Sequence, residues 1–221
     1  MIRKLLKKAI HPFLKFGMEK FFAKPRLFAH EGIEVIVMPE VFPPHYTFST
    51  KILLEYISSI DLKSKTFLEL GCGSGIVSLF AASKQAIVTA SDINSIALKA
   101  LKDAKIKNNL ELEIINSNLF NQIENQSFDY VIINPPYYPK DPKNVKEQAW
   151  FCGENFEYFE NLLPQLSKRS DHTILMILSE DCDIQKITNI ADKNKLQLHI
   201  EIERTRFSER TFIYRISRKL Q

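Results

Sequence analysis

A short polar and proline-rich run is the part of this sequence with the clearest chemical meaning. It reads Asn134-Pro135-Pro136-Tyr137 and follows the apolar stretch 128–133, which is typical of a buried strand. The Asn134 side-chain oxygen and the Pro135 carbonyl are two acceptors for both N–H hydrogens of an amide or an exocyclic amine. Holding those hydrogens turns the nitrogen lone pair toward an electrophile, and the acceptors stabilise the positive charge that then develops. Pro135 and Pro136 stiffen the backbone, and Tyr137 offers a ring face for a flat group.

A glycine-rich turn lies upstream, where an apolar stretch ends and a helical pattern begins at Ile76. Its glycines let the backbone turn tightly and approach a ligand closely. The turn alone also fits a nicotinamide or flavin dinucleotide, but that fingerprint needs a third glycine at the position of Ile76. Glu69, just before the turn, would repel a pyrophosphate and suits the cationic amino acid part of S-adenosylmethionine. The sequence therefore predicts an S-adenosylmethionine pocket that includes Glu69, Gly71, Cys72, Gly73 and Gly75.

The next two predicted strands end in further candidates for this pocket. Asp92 lies 17 residues after Gly75, close to the spacing of about 20 expected for a carboxylate that accepts from ribose hydroxyls. The alternative is a helix N-cap formed by Asp92 or Asn94. After the following strand, Asn118 is placed to meet the edge of an adenine ring and Leu119 to cover its face. Ile93, beside Asp92, is assigned to the same pocket.

The elements that must position these residues alternate along the chain. Short apolar strands are predicted at 66–70, 86–91, 112–116, 130–134 and 173–178, with helices at 76–84, 95–108, 155–168 and 183–194. This alternation indicates a parallel sheet covered by helices on both faces. Two β-rich runs at 197–203 and 211–217 predict a hairpin whose last strand is antiparallel to the rest. The predicted fold is α/β: a doubly wound, mostly parallel, seven-stranded, Rossmann-like sheet, the pattern of class I methyltransferases.

The excess of positive charge is confined to the N-terminus. Residues 1–26 hold eight Lys and Arg against one acid, Glu19, so the remaining 22 basic and 25 acidic residues give a net charge of −3. The apolar spacing there predicts two short amphipathic helices separated at Pro12. This basic face is either solvated on a helix that docks on the domain, or it binds RNA, a ribosome or an anionic membrane surface. We expect residues 1–40, which also include a short strand at 34–38, to be an extension of a domain at 41–221.

The proline-rich segment 39–44 is predicted to be an ordered, extended loop that approaches the site. A helix capped by Ser49 or Thr50 is predicted to follow it. The segment before this helix places His45 near the cofactor. The other four histidines show no metal-ligand spacing, and Arg204, Arg206 and Arg210 are expected at a solvated hairpin tip.

The cysteine count and the hydropathy pattern exclude several classes of protein. Three distant cysteines argue against a disulfide framework and a cysteine-based zinc site, and they fit a reducing cytoplasm. No apolar run has the length of a transmembrane segment or of a signal-peptide core. We therefore expect a cytoplasmic protein without a metal.

Together these motifs resemble the HemK/PrmC family of protein N5-glutamine methyltransferases and the related N6-adenine enzymes. The resemblance covers roughly residues 41–217 and rests on the run from Glu69 to Gly75, on Asp92 and on the run from Asn134 to Tyr137. It implies that Asn134 and Tyr137 hold the target group. It also implies that the cofactor pocket includes Glu69, Gly71, Asp92 and Asn118. The family usually carries an acid at the position of Asn118, and its upstream acidic motif is replaced here by a segment in which Thr50 is the best match.

Three functions remain open from the sequence. One is methyl transfer to a glutamine side-chain amide of a protein such as a translation release factor. Another is methyl transfer to adenine N6 or guanine N2 in ribosomal or transfer RNA, which the basic N-terminus would help to bind. The last is a non-catalytic S-adenosylmethionine-binding interaction module, which would have no need of the acceptors at Asn134 and Pro135.

Overall fold

Strands and helices largely alternate in the computed structural model of the chain, which describes residues 23–45, 47–123, 126–169, 172–206 and 209–219. The two amphipathic helices predicted from the N-terminal sequence fall mostly within residues 1–22, outside this described part. The strands are β1 (Arg26–His30), β2 (Ile33–Val37), β3 (Thr66–Leu70), β4 (Ile87–Asp92), β5 (Glu113–Asn116), β6 (Tyr130–Ile133), β7 (Thr173–Ser179), β8 (Leu196–Arg206) and β9 (Glu209–Arg218). The helices are α1 (Phe48–Ser58), α2 (Ile76–Ser83), α3 (Ser95–Lys107), α4 (Val145–Gln148), α5 (Glu157–Ser167) and α6 (Ile184–Lys193).

The central sheet has seven strands in the order β5-β4-β3-β6-β7-β9-β8. The five strands from β5 to β7 are parallel, whereas β9 is antiparallel to both of its neighbours, β7 and β8. This confirms the predicted doubly wound sheet with an antiparallel C-terminal hairpin. The order reverses between β3 and β6, and a reversal of this kind opens a ligand crevice at the carboxyl ends of the strands.

Helices cover both faces of this sheet, which gives the molecule two apolar cores. Phe67 of β3 packs with residues of α1, α2 and α3, such as Leu79 and Leu101. The next residue, Leu68, points to the opposite face and packs with residues of α5 and α6, such as Phe159 and Ile187. Because central parallel strands are buried on both faces, they are apolar throughout and not alternating, which made them recognisable in the sequence.

The strand β1 was missed by the sequence analysis, and β2 begins and ends one residue earlier than predicted. The two strands form an antiparallel hairpin in which Leu27 pairs with Ile36. This hairpin is fastened to α3, because the Asn108 side chain accepts from the Glu34 backbone nitrogen over 2.9 Å and donates to the Glu34 carbonyl over 2.7 Å. Val35 and Val37 of β2 are buried in the same core as α1 to α3.

The start of α1 differs from the prediction that Ser49 or Thr50 caps it. The helix begins at Phe48 with Thr47 in the N-cap position, where the Thr47 side chain makes no capping bond. The Thr47 hydroxyl donates to the Pro43 carbonyl instead, over 3.3 Å. Ser49 is the second residue of the helix, and its hydroxyl accepts from Asn134 at the end of β6, so it does not cap.

The C-terminal hairpin is longer than predicted, and α4 was not predicted at all. Arg210 at the hairpin lies 3.1 Å from Glu180, and the Arg206 guanidinium stacks over the Phe48 ring at 4.9 Å. Among the described residues, no helix has the length and apolar character needed to cross a membrane.

Candidate active site

A cavity of about 430 Å³ opens at the carboxyl edge of the sheet, where the strand order reverses. Leu70 of β3 pairs with Ile133 of β6, so the glycine turn and Asn134 leave adjacent strands at the same level. Most of the residues predicted from the sequence line this cavity, namely Thr50, Glu69, Gly71, Cys72, Gly73, Asp92, Ile93, Asn118, Leu119, Asn134, Pro135 and Pro136. Gly75 and Tyr137 do not belong to its wall.

The glycines of the turn serve different purposes. Gly71 has a φ of 77°, and a methyl group added to it would meet no atom within 4 Å, because it would point into open space. Gly75 has a φ of 71°, and a methyl group there would lie 2.3 Å from Leu101 Cδ1 of α3. Gly71 therefore keeps room beside the cavity, whereas the observed role of Gly75 is close packing of the turn on α3. A contact between Gly75 and a cofactor stays a prediction.

Glu69 is buried at the end of β3 and holds the first turn of α2. Its carboxylate accepts from the Ser78 backbone nitrogen over 2.8 Å and also from the Ser78 hydroxyl. Burial raises the pKa of Glu69 to about 8, although both bonds from Ser78 favour the charged form and lower it. The acid that the sequence assigned to a cationic ligand thus also satisfies a free N–H of a helix terminus.

Asp92 holds the glycine turn through the loop that follows β4. One oxygen accepts from the Gly73 nitrogen over 2.7 Å, and the other accepts from the Asn94 nitrogen over 2.8 Å. Burial raises the pKa of Asp92, and these bonds lower it in part. The capping role falls to Asn94, whose side chain accepts from the nitrogens of Ile96 and Ala97. Each Asp92 oxygen accepts one of these two bonds and keeps lone-pair capacity for a ligand hydroxyl.

The loop after β5 places Asn118 and Leu119 on the cavity wall. Leu119 has a φ of 51°, in the left-handed region, and its carbonyl accepts from the Ser117 hydroxyl over 2.6 Å. The Asn118 nitrogen donates to the Gln122 side chain over 3.4 Å. These local bonds fix a loop conformation in which both residues face the space beside Asp92 and Ile93.

Asn134 is fixed from a distant part of the chain. Its side-chain nitrogen Nδ2 donates to the Ser49 hydroxyl in α1 over 3.3 Å. The Ser49 hydroxyl therefore engages the nitrogen of the amide and not its oxygen Oδ1. Tyr137 packs its ring against Tyr138, with centroids 4.8 Å apart. Burial raises the pKa of Tyr137, so its phenol stays neutral at physiological pH. Stacking of Tyr137 on a target group remains a prediction.

The segment 138–153 contributes to the cavity wall and was not predicted to do so from the sequence. Its two ends are joined, since the Tyr138 nitrogen donates to the Trp150 carbonyl over 3.1 Å and the Cys152 nitrogen donates to the Tyr138 carbonyl over 3.0 Å. Trp150 packs on Phe42 of the approach loop, with ring centroids 4.6 Å apart. The cavity-lining members of this segment are Asp141, Pro142, Val145, Gln148, Ala149, Phe151, Cys152 and Gly153.

His45 does not line the cavity, although the sequence placed its loop near the cofactor. Its Nε2 lies 2.8 Å from the Leu27 carbonyl, and its ring packs edge-on against Phe28. Glu40, Val41, Phe42 and Pro44 of the predicted approach loop do line the cavity. Within the described part of the chain, no group of three His, Cys, Asp or Glu side chains is arranged to hold a metal ion.

Comparison with known proteins gives a family match and several sequence relatives. Residues 32–150 match the model of the methyltransferase small domain. A proposed protein N5-glutamine methyltransferase of Methanocaldococcus jannaschii is 36% identical over 110 residues, which are 49% of this chain and 53% of that protein. The ribosomal RNA small subunit methyltransferase C of Buchnera aphidicola is 34% identical over 133 residues, which are 59% of this chain and 40% of that protein. The matched region thus spans about half the length of these relatives or less.

Solved structures share the fold at low sequence identity. The E. cuniculi Mtq2-Trm112 complex, described as responsible for methylation of the eRF1 translation termination factor, matches with a TM-score of 0.61 and 18% identity over 82% of this chain and 99% of that chain. The T. thermophilus 16S rRNA N2 G1207 methyltransferase, in complex with AdoMet and guanosine, has a TM-score of 0.58 and 15% identity over 89% of this chain and 50% of that chain. The chain belongs to the methyltransferase small domain family, and its sheet is that of the class I S-adenosylmethionine-dependent methyltransferases.

Proposed function

We propose that this protein transfers a methyl group from S-adenosylmethionine to the side-chain amide of a glutamine in a protein such as a translation release factor. The observation that carries this proposal is the orientation of the Asn134 side-chain amide at the cavity wall. Its Nδ2 is engaged by Ser49, so that Oδ1 is the group available as an acceptor for a planar N–H donor. The relative from Methanocaldococcus jannaschii, described as acting on glutamine N5, supports this choice of substrate.

The residues present fit the proposed cofactor. The cavity volume of about 430 Å³ is within the usual range for a small-ligand site. Gly71 leaves open space where any side chain would intrude, and Asp92 offers a carboxylate for ribose hydroxyls. Glu69 can favour a cationic ammonium group nearby, because a positive charge stabilises the ionised form of a buried carboxyl. S-adenosylmethionine supplies a methyl group activated by a positively charged sulfur.

The chemistry left to the protein is orientation of a weak nucleophile. An amide nitrogen delocalises its lone pair into the carbonyl, so it attacks poorly. Asn134 Oδ1 and the Pro135 carbonyl accept its two hydrogens and direct the lone pair into the cavity. The same oxygens stabilise the positive charge that develops on nitrogen. A general base in the protein is not required, because the proton of the charged product can leave to water.

A nucleobase amine in RNA is the second candidate substrate. The relative from Buchnera aphidicola, named a ribosomal RNA methyltransferase, favours it. The exocyclic amines of adenine and guanine are planar and carry two hydrogens, so the acceptors at Asn134 and Pro135 suit them equally well. We propose further that residues 1–40 are an extension of a cytoplasmic domain at 41–221, and that the basic segment 1–26 holds an anionic partner. Deletion of residues 1–22 should then weaken partner binding most at low salt.

Labelling of substrate pools tests the proposal. The purified protein is incubated with a methyl-labelled donor and an extract containing both protein and RNA, and the product is divided for protease or nuclease digestion. The proposal predicts label that protease solubilises and nuclease does not. Label that only nuclease solubilises would show that RNA, and not a protein glutamine, is the substrate. Absence of label in both pools, with the donor still bound to the protein, would support a non-catalytic S-adenosylmethionine-binding module.

A further inference from the structure

One face of α5 borders the cavity on the side of Asp92 and Leu119. Tyr158 and Asn161 both line the cavity, and they are three positions apart along the helix. Gln165 follows Asn161 by four residues, and its side-chain oxygen accepts from the Phe120 nitrogen over 3.1 Å. Because residues three and four apart share a helix face, all three side chains point the same way. The bond at Gln165 therefore places Asn161 and Tyr158 beside the loop that carries Leu119.

Tyr158 carries the hydroxyl of this face and is close enough to Asp92 to be influenced by its charge. Its ring packs edge-on against Phe159, with centroids 5.3 Å apart, and its backbone nitrogen is held by the Cys152 carbonyl over 2.9 Å. Burial raises the pKa of Tyr158, and the negative charge of Asp92 raises it further. The phenol is therefore a neutral hydroxyl close to Asp92, able to donate one hydrogen bond and to accept another.

The side-chain polar atoms of Tyr158 and Asn161 have no hydrogen-bond partner among the protein groups of the described chain. Their polar neighbours on the wall do have partners. Asp92 accepts from Gly73 and Asn94, and Glu157 accepts from the Asn155 backbone and side chain over 3.0 Å. An amide and a half-buried hydroxyl that face one cavity without a protein partner are groups that a ligand can satisfy.

We infer that Tyr158 and Asn161 form the adenosine end of the cofactor site, with Asn161 pairing with the edge of the adenine ring and Tyr158 bonding to the ribose; this rests on the proposed function. A side-chain amide carries a donor and an acceptor side by side, which matches the 6-amino group and the ring nitrogen N7 of adenine. N7 is an acceptor in hypoxanthine as well, so a flipped amide cannot restore both bonds there. Replacement of that amino group by a carbonyl oxygen puts an acceptor where Asn161 meets a donor. Asn161 therefore makes the site selective for adenine over hypoxanthine.

Calorimetric titration of the full-length chain with two ligands tests this inference without any methyl acceptor. The ligands are S-adenosylhomocysteine and its deaminated analogue S-inosylhomocysteine. The wild-type protein should prefer the adenine ligand. Asn161→Ala should weaken binding of that ligand about tenfold and leave the weaker binding of the analogue nearly unchanged. Tyr158→Phe should weaken both ligands by a similar factor of about five to ten, because both carry the same ribose.

Two control variants separate these effects from changes in folding. Asn189→Ala removes an exposed amide on α6 that bonds to Gln185, and Tyr214→Phe removes a buried phenol outside the cavity wall. Both should bind as the wild type does. Wild-type affinities in Asn161→Ala and Tyr158→Phe, or an unchanged preference for adenine in Asn161→Ala, would overturn the inference alone. Failure of the wild-type protein to bind S-adenosylhomocysteine would overturn the proposed function as well.

Discussion

The side-chain amide of Asn134, at the end of β6, donates to the hydroxyl of Ser49, in the first turn of α1, over 3.3 Å. The two residues are 85 positions apart in the chain. Thr50, the neighbour of Ser49, lines the same cavity and approaches Thr47 Oγ1 to 3.3 Å. The upstream helix therefore contributes to the site in two ways: it forms part of the wall, and it orients the acceptor that the proposed chemistry depends on.

Removal of the Ser49 hydroxyl should slow methyl transfer and leave the cofactor site intact. In Ser49→Ala the amide of Asn134 loses its anchor, so we expect the turnover number to fall about five- to tenfold. The dissociation constant for S-adenosylhomocysteine should stay within about twofold of the wild type. Ser49→Thr keeps a hydroxyl at this position and should recover most of the rate. Equal losses in the Ala and Thr variants would mean that Ser49 only packs.

Removal of the Asn134 side chain should have a larger effect on the same step. Asn134→Ala deletes one of the two proposed acceptors, and loss of such a group in the transition state costs about 100- to 1000-fold in rate. Titration with S-adenosylhomocysteine should show nearly unchanged affinity. A variant with wild-type turnover would refute the assigned role of Asn134.

Alanine substitutions at two glycines should separate cofactor binding from stability. Gly71→Ala and Gly75→Ala both place a side chain at a positive φ, which costs about 1–2 kcal/mol of unfolding free energy. Gly75→Ala also drives a methyl group into Leu101, so it should lose about 1–3 kcal/mol more. Gly71→Ala should instead weaken S-adenosylhomocysteine binding more strongly. Urea unfolding and calorimetric titration of both variants measure the two effects, and equal results in both assays would contradict the division of roles.

The buried carboxyl of Glu69 should make stability fall as pH rises. Its pKa in the folded protein is about 8 against an ordinary value of 4.5, so between these values the folded state holds a proton that the unfolded state has lost. The stabilisation is therefore complete below about pH 4.5 and is lost as pH rises toward 8, by up to about 1.4 kcal/mol per pH unit. Glu69→Gln cannot titrate. Urea unfolding should show the wild-type advantage over this variant shrinking from pH 5 to pH 8, and a difference independent of pH would disprove the assignment.

The parts of the site that could be predicted from sequence are local motifs at the ends of apolar strands. The glycine turn, Asp92 and Asn134 each follow such a strand, and parallel order brings strand ends to one edge. The contact between Asn134 and Ser49 could not be predicted, because no local pattern links residues so far apart. The role of segment 138–153 was missed for a similar reason, since backbone bonds between its two ends shape the part of it that lines the cavity.

Other misses reflect weak local signals. Leu27 and Ile36 face outward on the β1–β2 hairpin, so these strands lack the buried runs that reveal the central sheet. In the sequence, Tyr158 and Asn161 look like ordinary surface residues of an amphipathic helix. They become candidate ligand-binding residues only because α5 lies beside the cavity. The prediction that Ser49 or Thr50 caps α1 was wrong, because many hydroxyl side chains have suitable capping chemistry and the sequence does not say which one is used. The Ser49 hydroxyl instead accepts a hydrogen bond from the Asn134 amide.

The identity of the methylated nitrogen is the most direct test of the account, and acid hydrolysis of the labelled product reveals it. An N-methylated glutamine amide releases its methyl group as volatile methylamine, whereas methylated lysine or arginine keeps the label on the amino acid. We predict that protein labelled by the wild-type enzyme yields labelled methylamine and that the Asn134→Ala enzyme yields almost none. Label retained on lysine or arginine would contradict methyl transfer to a planar amide.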